Sequence, residues 1–281
     1  MKQTRKNPIF SIISMSILLI WAVFVIYPLV FSLFESLKDN KQFMNNKAWS
    51  LPQFPLLWGN YSDTWVRYEF GHYFVNSIVV TIGSMVLALI LTSTTSYIMA
   101  RYAFKGRGLI YYFYIASMTV PMMMLVIPMF FLFGDLHLSN SWFGLIVLYA
   151  IGSVPFGMFV LTGFFKSLPR ELEESAVIDG ATHYGVFFKV MLPLSLSGLI
   201  TISIVNVVGF WNEYPFALML ISNPLKYTLP VGLNFMQGAM QYRTEFGPLF
   251  AGVTIASIPI LIVYMFFQKY INEGITAGAV K

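Results

Sequence analysis

Ile9-Phe-Ser-Ile-Ile-Ser-Met-Ser-Ile-Leu-Leu-Ile-Trp-Ala-Val-Phe-Val-Ile-Tyr-Pro-Leu-Val-Phe-Ser-Leu33 runs for 25 residues without a charge. About 20 apolar residues in a helix cross the hydrocarbon core of a bilayer, so this run is long enough to span one. Lys2, Arg5 and Lys6 precede it, as in a signal peptide. The run nevertheless exceeds the roughly 7–15 residues of a signal core, and no small-x-small cleavage site follows. It is therefore expected to be a first membrane helix that the mature protein keeps.

Working outward, runs of the same kind recur. With the first at 9–35, the others fall at about 73–100, 109–134, 141–165, 194–222 and 248–270. The composition agrees: 57% hydrophobic and 10% charged among 281 residues, against about 25% charged in a soluble domain. The 27 Phe and 16 Tyr suit lipid-facing helices and interfacial belts. The chain has no cysteine, which excludes disulfides and thiolate metal sites. A net charge of +5 points to membrane orientation, not nucleic-acid binding.

Lys and Arg set the orientation. With both termini inside, eleven of the 17 basic residues face the cytoplasm, among them Arg101, Lys105, Arg107, Lys166, Arg170 and Lys189. The other six, Lys38, Lys41, Lys47, Arg67, Lys226 and Arg243, spread over longer outer loops, as the positive-inside rule requires. Pro121, Pro128, Pro155, Pro215 and Pro259 fall within the later runs, where proline deletes a backbone hydrogen bond and bends a helix. Two readings stand: membrane helices carry more proline than soluble ones, and a protein that moves needs kinks.

The Arg170–Pro193 loop holds four of the twelve acidic residues, Glu171, Glu173, Glu174 and Asp179. It reads as two short helices around a turn. Pro169 suits a first helical position, and the glutamates complement the positive end of the helix dipole. Leu172, Ala176 and Val177 recur at helical spacing and form one apolar face. Gly180 supplies a left-handed or close-packed turn. Tyr184, Phe187 and Phe188 give the second helix an apolar ridge, and Pro193 closes the element. A small amphipathic element between two membrane spans fits a surface offered to a soluble partner.

The loop resembles the signature of ATP-binding-cassette (ABC) importer permeases: Glu-Ala-Ala, three residues, Gly, nine residues, Ile, one residue, Leu-Pro. This chain has Glu174-Ser175-Ala176, Gly180 and Val190-Met191-Leu192-Pro193 at the full spacing, with Ser for the first Ala and Val for Ile. The ending Asn272–Lys281, the segment Ser96–Arg107 and the Trp211-Asn212-Glu213 triplet are similar to the smaller permease of the maltose-type carbohydrate-uptake group. The resemblance implies an all-α integral membrane protein with six transmembrane helices, both termini cytoplasmic and a cytoplasmic coupling-helix loop. It divides the chain into an N-terminal helix with outer linker, 1–72, and a transmembrane domain, 73–281, with the coupling loop at about 167–193.

That family implies a role for the loop. Glu174, Ser175, Ala176 and Gly180, with Asp179 beside them, would dock into a cleft on an ATPase subunit, and the tail would extend between two such subunits. The chain itself has no Gly-x-x-x-x-Gly-Lys-Ser/Thr loop to cradle phosphate. ATP and Mg would therefore sit on the partner ATPase dimer, with no cofactor on this non-catalytic chain. The further partners implied are a second homologous permease, an extracytoplasmic solute-binding protein, a sugar or oligosaccharide and membrane lipid, in the bacterial plasma membrane.

Within the fifth run, Asn206, Trp211, Asn212 and Glu213 are candidates for the substrate pathway. An ionised carboxylate in a membrane span usually lines a wet cavity or finds a partner; a structural contact is the competing reading. Asn234, Gln237 and Gln241 are weaker candidates for substrate contact. His72, His137 and His183 lack ligand-like spacing, so no metal is expected. Trp49, Trp58, Tyr61 and Trp65 suit either a solute-binding protein or lipid headgroups. The competing functions are an importer of a non-sugar solute such as glycerol phosphate or a polyamine, and a secondary transporter driven by an ion gradient.

Overall fold

Long apolar runs without alternation become helices. A computed structural model describes residues 8–45, 47, 49–240 and 245–279, with backbone alone at 8–10, 239 and 269–279. The chain runs through α1 (Pro8–Glu35), α2 (Phe70–Arg101), α3 (Arg107–Ser117), α4 (Val126–Asp135) and α5 (Trp142–Ser167). Then come α6 (Glu171–Ile178), α7 (His183–Val186), α8 (Leu196–Trp211), α9 (Pro215–Leu220), α10 (Leu229–Ala239) and α11 (Phe246–Ala279). No strand occurs among the described residues.

Among the described residues, four helices are long and apolar enough to cross a membrane: Ser11–Glu35, α2, α5 and Phe246–Gln268. Two bent pairs raise the number to six if each is one span. One is the run expected at 109–134, which is not a single helix: α3 and Met122–Asp135 diverge by 95°. Pro121 takes an extended ψ of 122° ahead of the next turn, and it has no N–H to continue α3. The run expected at 194–222 is also divided. α8 ends at Trp211, and Pro215 opens α9 as its first residue. On the other side, Pro193 lies inside the turn Leu192–Leu194 rather than closing the loop, and the chain bends 73° at Ser195. Pro155 and Pro259, by contrast, lie within uninterrupted α5 and α11.

Contacts divide the chain into two compact units. One comprises the described residues up to Phe70 with Leu233–Ile258; the other comprises Gly71–Gly232 with the described residues from Pro259. In the first unit, Glu35 and Lys38 form a buried ion pair at 2.6 Å, and Lys38 also reaches Ser50 Oγ at 3.3 Å. Asn60 donates to the carbonyls of Ser36 and Lys38, Thr64 donates to Pro248 O at 2.8 Å, and Phe43 stacks on Phe246 at 3.9 Å.

In the second unit, α2 and α5 run parallel and interlock through small residues. A Cβ on Gly83 would lie 2.7 Å from Ile146, and one on Gly157 would lie 2.6 Å from Thr92. Close backbone approach of this kind is how helices associate in lipid, where apolar burial gives no drive. Further along, Met99 of α2 packs with Val154 and Met158 of α5. α8 returns antiparallel to α5: Gly198 lies against Phe164, and Phe210 stacks on Tyr149. The unit therefore has two distinct ends, one at Arg101, Leu168 and the α6–α7 loop, the other at Asn140 and 212–229.

Candidate functional site

The loop is built as two short helices, with local differences from the sequence reading. The residue before a proline is pushed to extended backbone, and Leu168 has ψ 138° at the end of α5. Pro169 thus terminates α5 instead of opening α6, whose cap is Arg170 and whose first residue is Glu171. Glu171, Glu173 and Glu174 occupy the first turn, where carboxylates favour the helix dipole.

Gly180 ends α6 with φ +85°. The amides of Gly180 and Ala181 donate to the carbonyls of Val177 and Ala176, the paired bonds of a Schellman motif, which needs a left-handed residue. Thr182 then caps α7, its Oγ1 accepting from Gly185 N at 3.2 Å, and a π turn at Phe187–Met191 leads on.

The loop has two faces. Ala176, Ala181, Val186, Phe187 and Met191 pack on Tyr97 and Ala100 of α2, Leu161 and Phe165 of α5, and Ile202 of α8. Tyr97 lies 5.0 Å from the Phe187 ring and 5.6 Å from that of Phe165. The outward face leaves Leu172, Val177 and Phe188 exposed, with Ile178 at 85% and Tyr184 at 80%. Leu172, Ala176 and Val177 therefore do not share one buried face: Ala176 turns in and the other two turn out. Tyr184 and Phe188 are exposed beside buried Phe187, whose ring lies 4.8 Å from that of Phe188. Glu174, Ser175, Asp179 and Gly180 are all exposed, and Ala176 is half-buried.

A feature with no sequence signal joins this loop to α2. Arg101 Nε lies 2.6 Å from Glu173 Oε1, the two side chains being 5% and 21% exposed. The contact is an ion pair without an aligned hydrogen bond, while Arg101 Nη2 donates to Leu168 O at 2.8 Å. Around it, Arg107 donates to Tyr102 O, Lys166 lies 5.6 Å over the Tyr111 ring, and Tyr102 Oη meets His183 Nδ1 at 3.5 Å.

The candidates of the fifth run have separate surroundings. Glu213 accepts from the amides of Phe216 at 2.8 Å and Ala217 at 3.0 Å and from the Tyr149 hydroxyl. It thereby satisfies the orphan amides that open α9. Trp211 is buried edge-on to Phe74 at 5.6 Å. Asn212 is exposed and donates to Val208 O of its own helix. Asn206 is buried, its Nδ2 without a hydrogen-bond acceptor.

In the first unit, Asn234 and Gln237 lie exposed on α10, and Gln241 lies outside the described residues. Trp49, Trp58 and Trp65 are exposed, while Tyr61 Oη bonds Ser36 Oγ at 2.7 Å. A polar cavity of about 370 Å³ is lined by Lys38, Asp39, Asn60, Asp63, Arg67 and Glu245, among others. Glu245 pairs with Arg67 at 2.9 Å and accepts from Tyr68. Burial, then that carboxylate, pushes the Tyr68 hydroxyl above its ordinary value. Among the described residues no group of three His, Asp or Glu could hold a metal.

Residues 92–277 match the family model described as binding-protein-dependent transport system inner membrane component. The chain is 35% identical to the diacetylchitobiose uptake system permease NgcG of Streptomyces coelicolor, over 96% of this chain and 88% of that one. It is also 35% identical to the sulfoquinovosyl glycerol transport system permease SmoH of Agrobacterium fabrum, over 96% and 92%. A crystal structure of a bacterial ABC transporter involved in the import of the acidic polysaccharide alginate contains a similar chain. It matches with TM-score 0.82 at 24% identity, covering 96% of this chain and 99% of that one, a likeness of fold.

Proposed function

Because the chain belongs to the family of binding-protein-dependent transport system inner membrane components, it is a non-catalytic, multi-pass permease subunit of an ABC importer in the bacterial inner membrane, and we propose that its loop at 167–193 is the coupling element. The observation that carries this reading is the two-faced packing of that loop. Its inner side is fixed to the ends of α2, α5 and α8, while its outer side holds Ile178 and Tyr184 open to a partner. Exposed apolar and aromatic residues ringed by Glu174, Ser175 and Asp179 have the make-up of an interface.

In this reading Glu174, Ser175, Ala176, Asp179 and Gly180 contact an ATPase dimer that carries ATP and Mg. Closure of that dimer moves the loop, and the packed helix ends turn the push into alternating access. The bent pairs count as single spans, giving six, with both termini and the loop cytoplasmic. The division falls at 1–72, helix and outer linker, and 73–281, the transmembrane domain. The apolar window of α1, none of it buried within the chain, meets lipid or the second permease. The exposed Trp residues of the outer linker and the polar cavity beside them receive the solute-binding protein.

The cargo is a sugar or oligosaccharide. The support is that NgcG and SmoH, at 35% identity, carry carbohydrate-bearing solutes in their names. Asn206, Trp211, Asn212 and Glu213 border the solute path, with Asn212 offering its exposed amide and the other three holding the wall.

Glu174→Ala and Gly180→Val test the loop. Both are expected to lose the ATPase subunits on co-purification, with the permease pair intact; full retention would overturn the coupling role. Uptake of diacetylchitobiose against glycerol phosphate and spermidine tests the cargo class, with preference for either non-sugar overturning it.

A further inference from the structure

We propose that Arg101 and Glu173 form a tie that makes α6 and the end of α2 move as one body, with Arg101 a positioning residue for the coupling surface. The inference rests on the coupling role given to the loop above. Arg101 is the last residue of α2, and its guanidinium is nearly buried. One planar group there joins three elements: α2 by its own backbone, α6 through Glu173 at 2.6 Å, and the end of α5 through Leu168 O at 2.8 Å. A guanidinium offers several donors in a fixed fork, which the point charge of lysine does not.

Glu173 and Glu174 are neighbours in sequence but lie about 100° apart around a helix. Glu173 turns in to Arg101, with 21% of its side chain exposed, while Glu174 stays exposed for a partner. Apart from the Tyr102–His183 contact, the rest of this seam is apolar rings and methyls: Tyr97 on Phe187, and Ala176 against the same cluster. Apolar burial is not directional, so such a surface alone allows α6 to slide or roll. The guanidinium is oriented by its hydrogen bond to Leu168 O. Its attraction for Glu173 at 2.6 Å pins that point of α6 to the ends of α2 and α5, which restricts the angle at which Ile178 and Glu174 are presented.

The chain lacks cysteine, so Ile98→Cys on α2 and Glu171→Cys on α6 accept a nitroxide pair for distance measurement in the assembled importer. The parent should give one narrow distance that is the same with and without ATP. Glu173→Ala should retain the ATPase subunits yet broaden that distribution about twofold, as a local opening does. Arg101→Lys should broaden it less. The double variant Arg101→Gln with Glu173→Ala should be no broader than the worse single, since both remove one interaction.

An unchanged width in Glu173→Ala overturns the tie, and so do widths that add in the double variant. Should Arg101→Gln fail to accumulate, Glu173→Ala alone decides. Failure here is separable from failure of the coupling role: the latter appears as retention of the ATPase in Glu174→Ala and Gly180→Val, whatever the width.

Discussion

At the Asn140 end of the Gly71–Gly232 unit, side chains seize backbone. Asn76 donates to the carbonyls of Leu225 and Tyr227, Ser77 accepts from Leu229 N, and Asn140 accepts from the amides of Ser222 and Asn223. Lys226 Nζ donates to Asn140 O at 2.7 Å, and Trp142 Nε1 to Lys226 O at 3.2 Å. At the Glu173 end the seam is mainly aromatic and aliphatic, with the Arg101–Glu173 ion pair, the bond from Arg101 to Leu168 O and the Tyr102–His183 contact, and its outer face is bare. Backbone-directed bonds lock each turn to one geometry. Apolar packing with a few polar ties joins elements while leaving an outer surface exposed. In the coupling role proposed above, the first end holds and the second is pushed.

Substitutions can break that contrast. The largest effect should come from Asn76→Leu, which strands two carbonyls at a buried site. At about 1–3 kcal/mol for each unsatisfied group, the variant should lose about 3 kcal/mol of stability against unfolding in detergent, with the ATPase subunits retained. Ile178→Asp should do the reverse: stability unchanged, since surface changes usually stay within about 0.5 kcal/mol. Its ATPase association, read by co-purification or light scattering, should weaken by about 30-fold, the scale of an interface hot spot.

Asn140→Ala comes next. Asn140 has φ +52°, and an alanine there adds roughly 1–2 kcal/mol of left-handed strain to the two lost bonds. Asn140→Gly should cost less, because it removes only the bonds. The smallest effect is Ser141→Ala, which deletes the cap on Gly144 N and should cost about 1 kcal/mol. If Asn140→Ala changed coupling while Ile178→Asp left it intact, the division between the two ends would be wrong.

Hydropathy made α1, α2, α5 and α11 legible, because a long uncharged run has few fates other than a membrane helix. It could not give direction. Pro121 marked a bend in the third run, but hydropathy gave neither its size of 95° nor the end of the helix there. The end of α8 did leave a trace: Glu213 lies two residues before Pro215, and a carboxylate ahead of proline is a helix-start signal. That pattern marks Glu213 as the brace of α9. In the loop, Gly180 was legible because only a left-handed turn demands glycine there. Arg101 and Glu173 were not, since an ion pair between residues 72 positions apart has no local pattern.

The interlock of Gly83 with Ile146 and of Gly157 with Thr92 has a mechanical consequence. Two parallel helices pressed this closely cannot shear past each other without unseating side chains, so α2 and α5 act as a stiff beam. α5 alone has 26 residues, which at 1.5 Å of rise per residue is a beam of about 39 Å. A tilt of about 5° at the loop end would swing its far tip by about 3 Å, roughly the width of a water molecule. A small rotation at the loop thus shifts the opposite end by a molecular dimension, with neither helix changing shape.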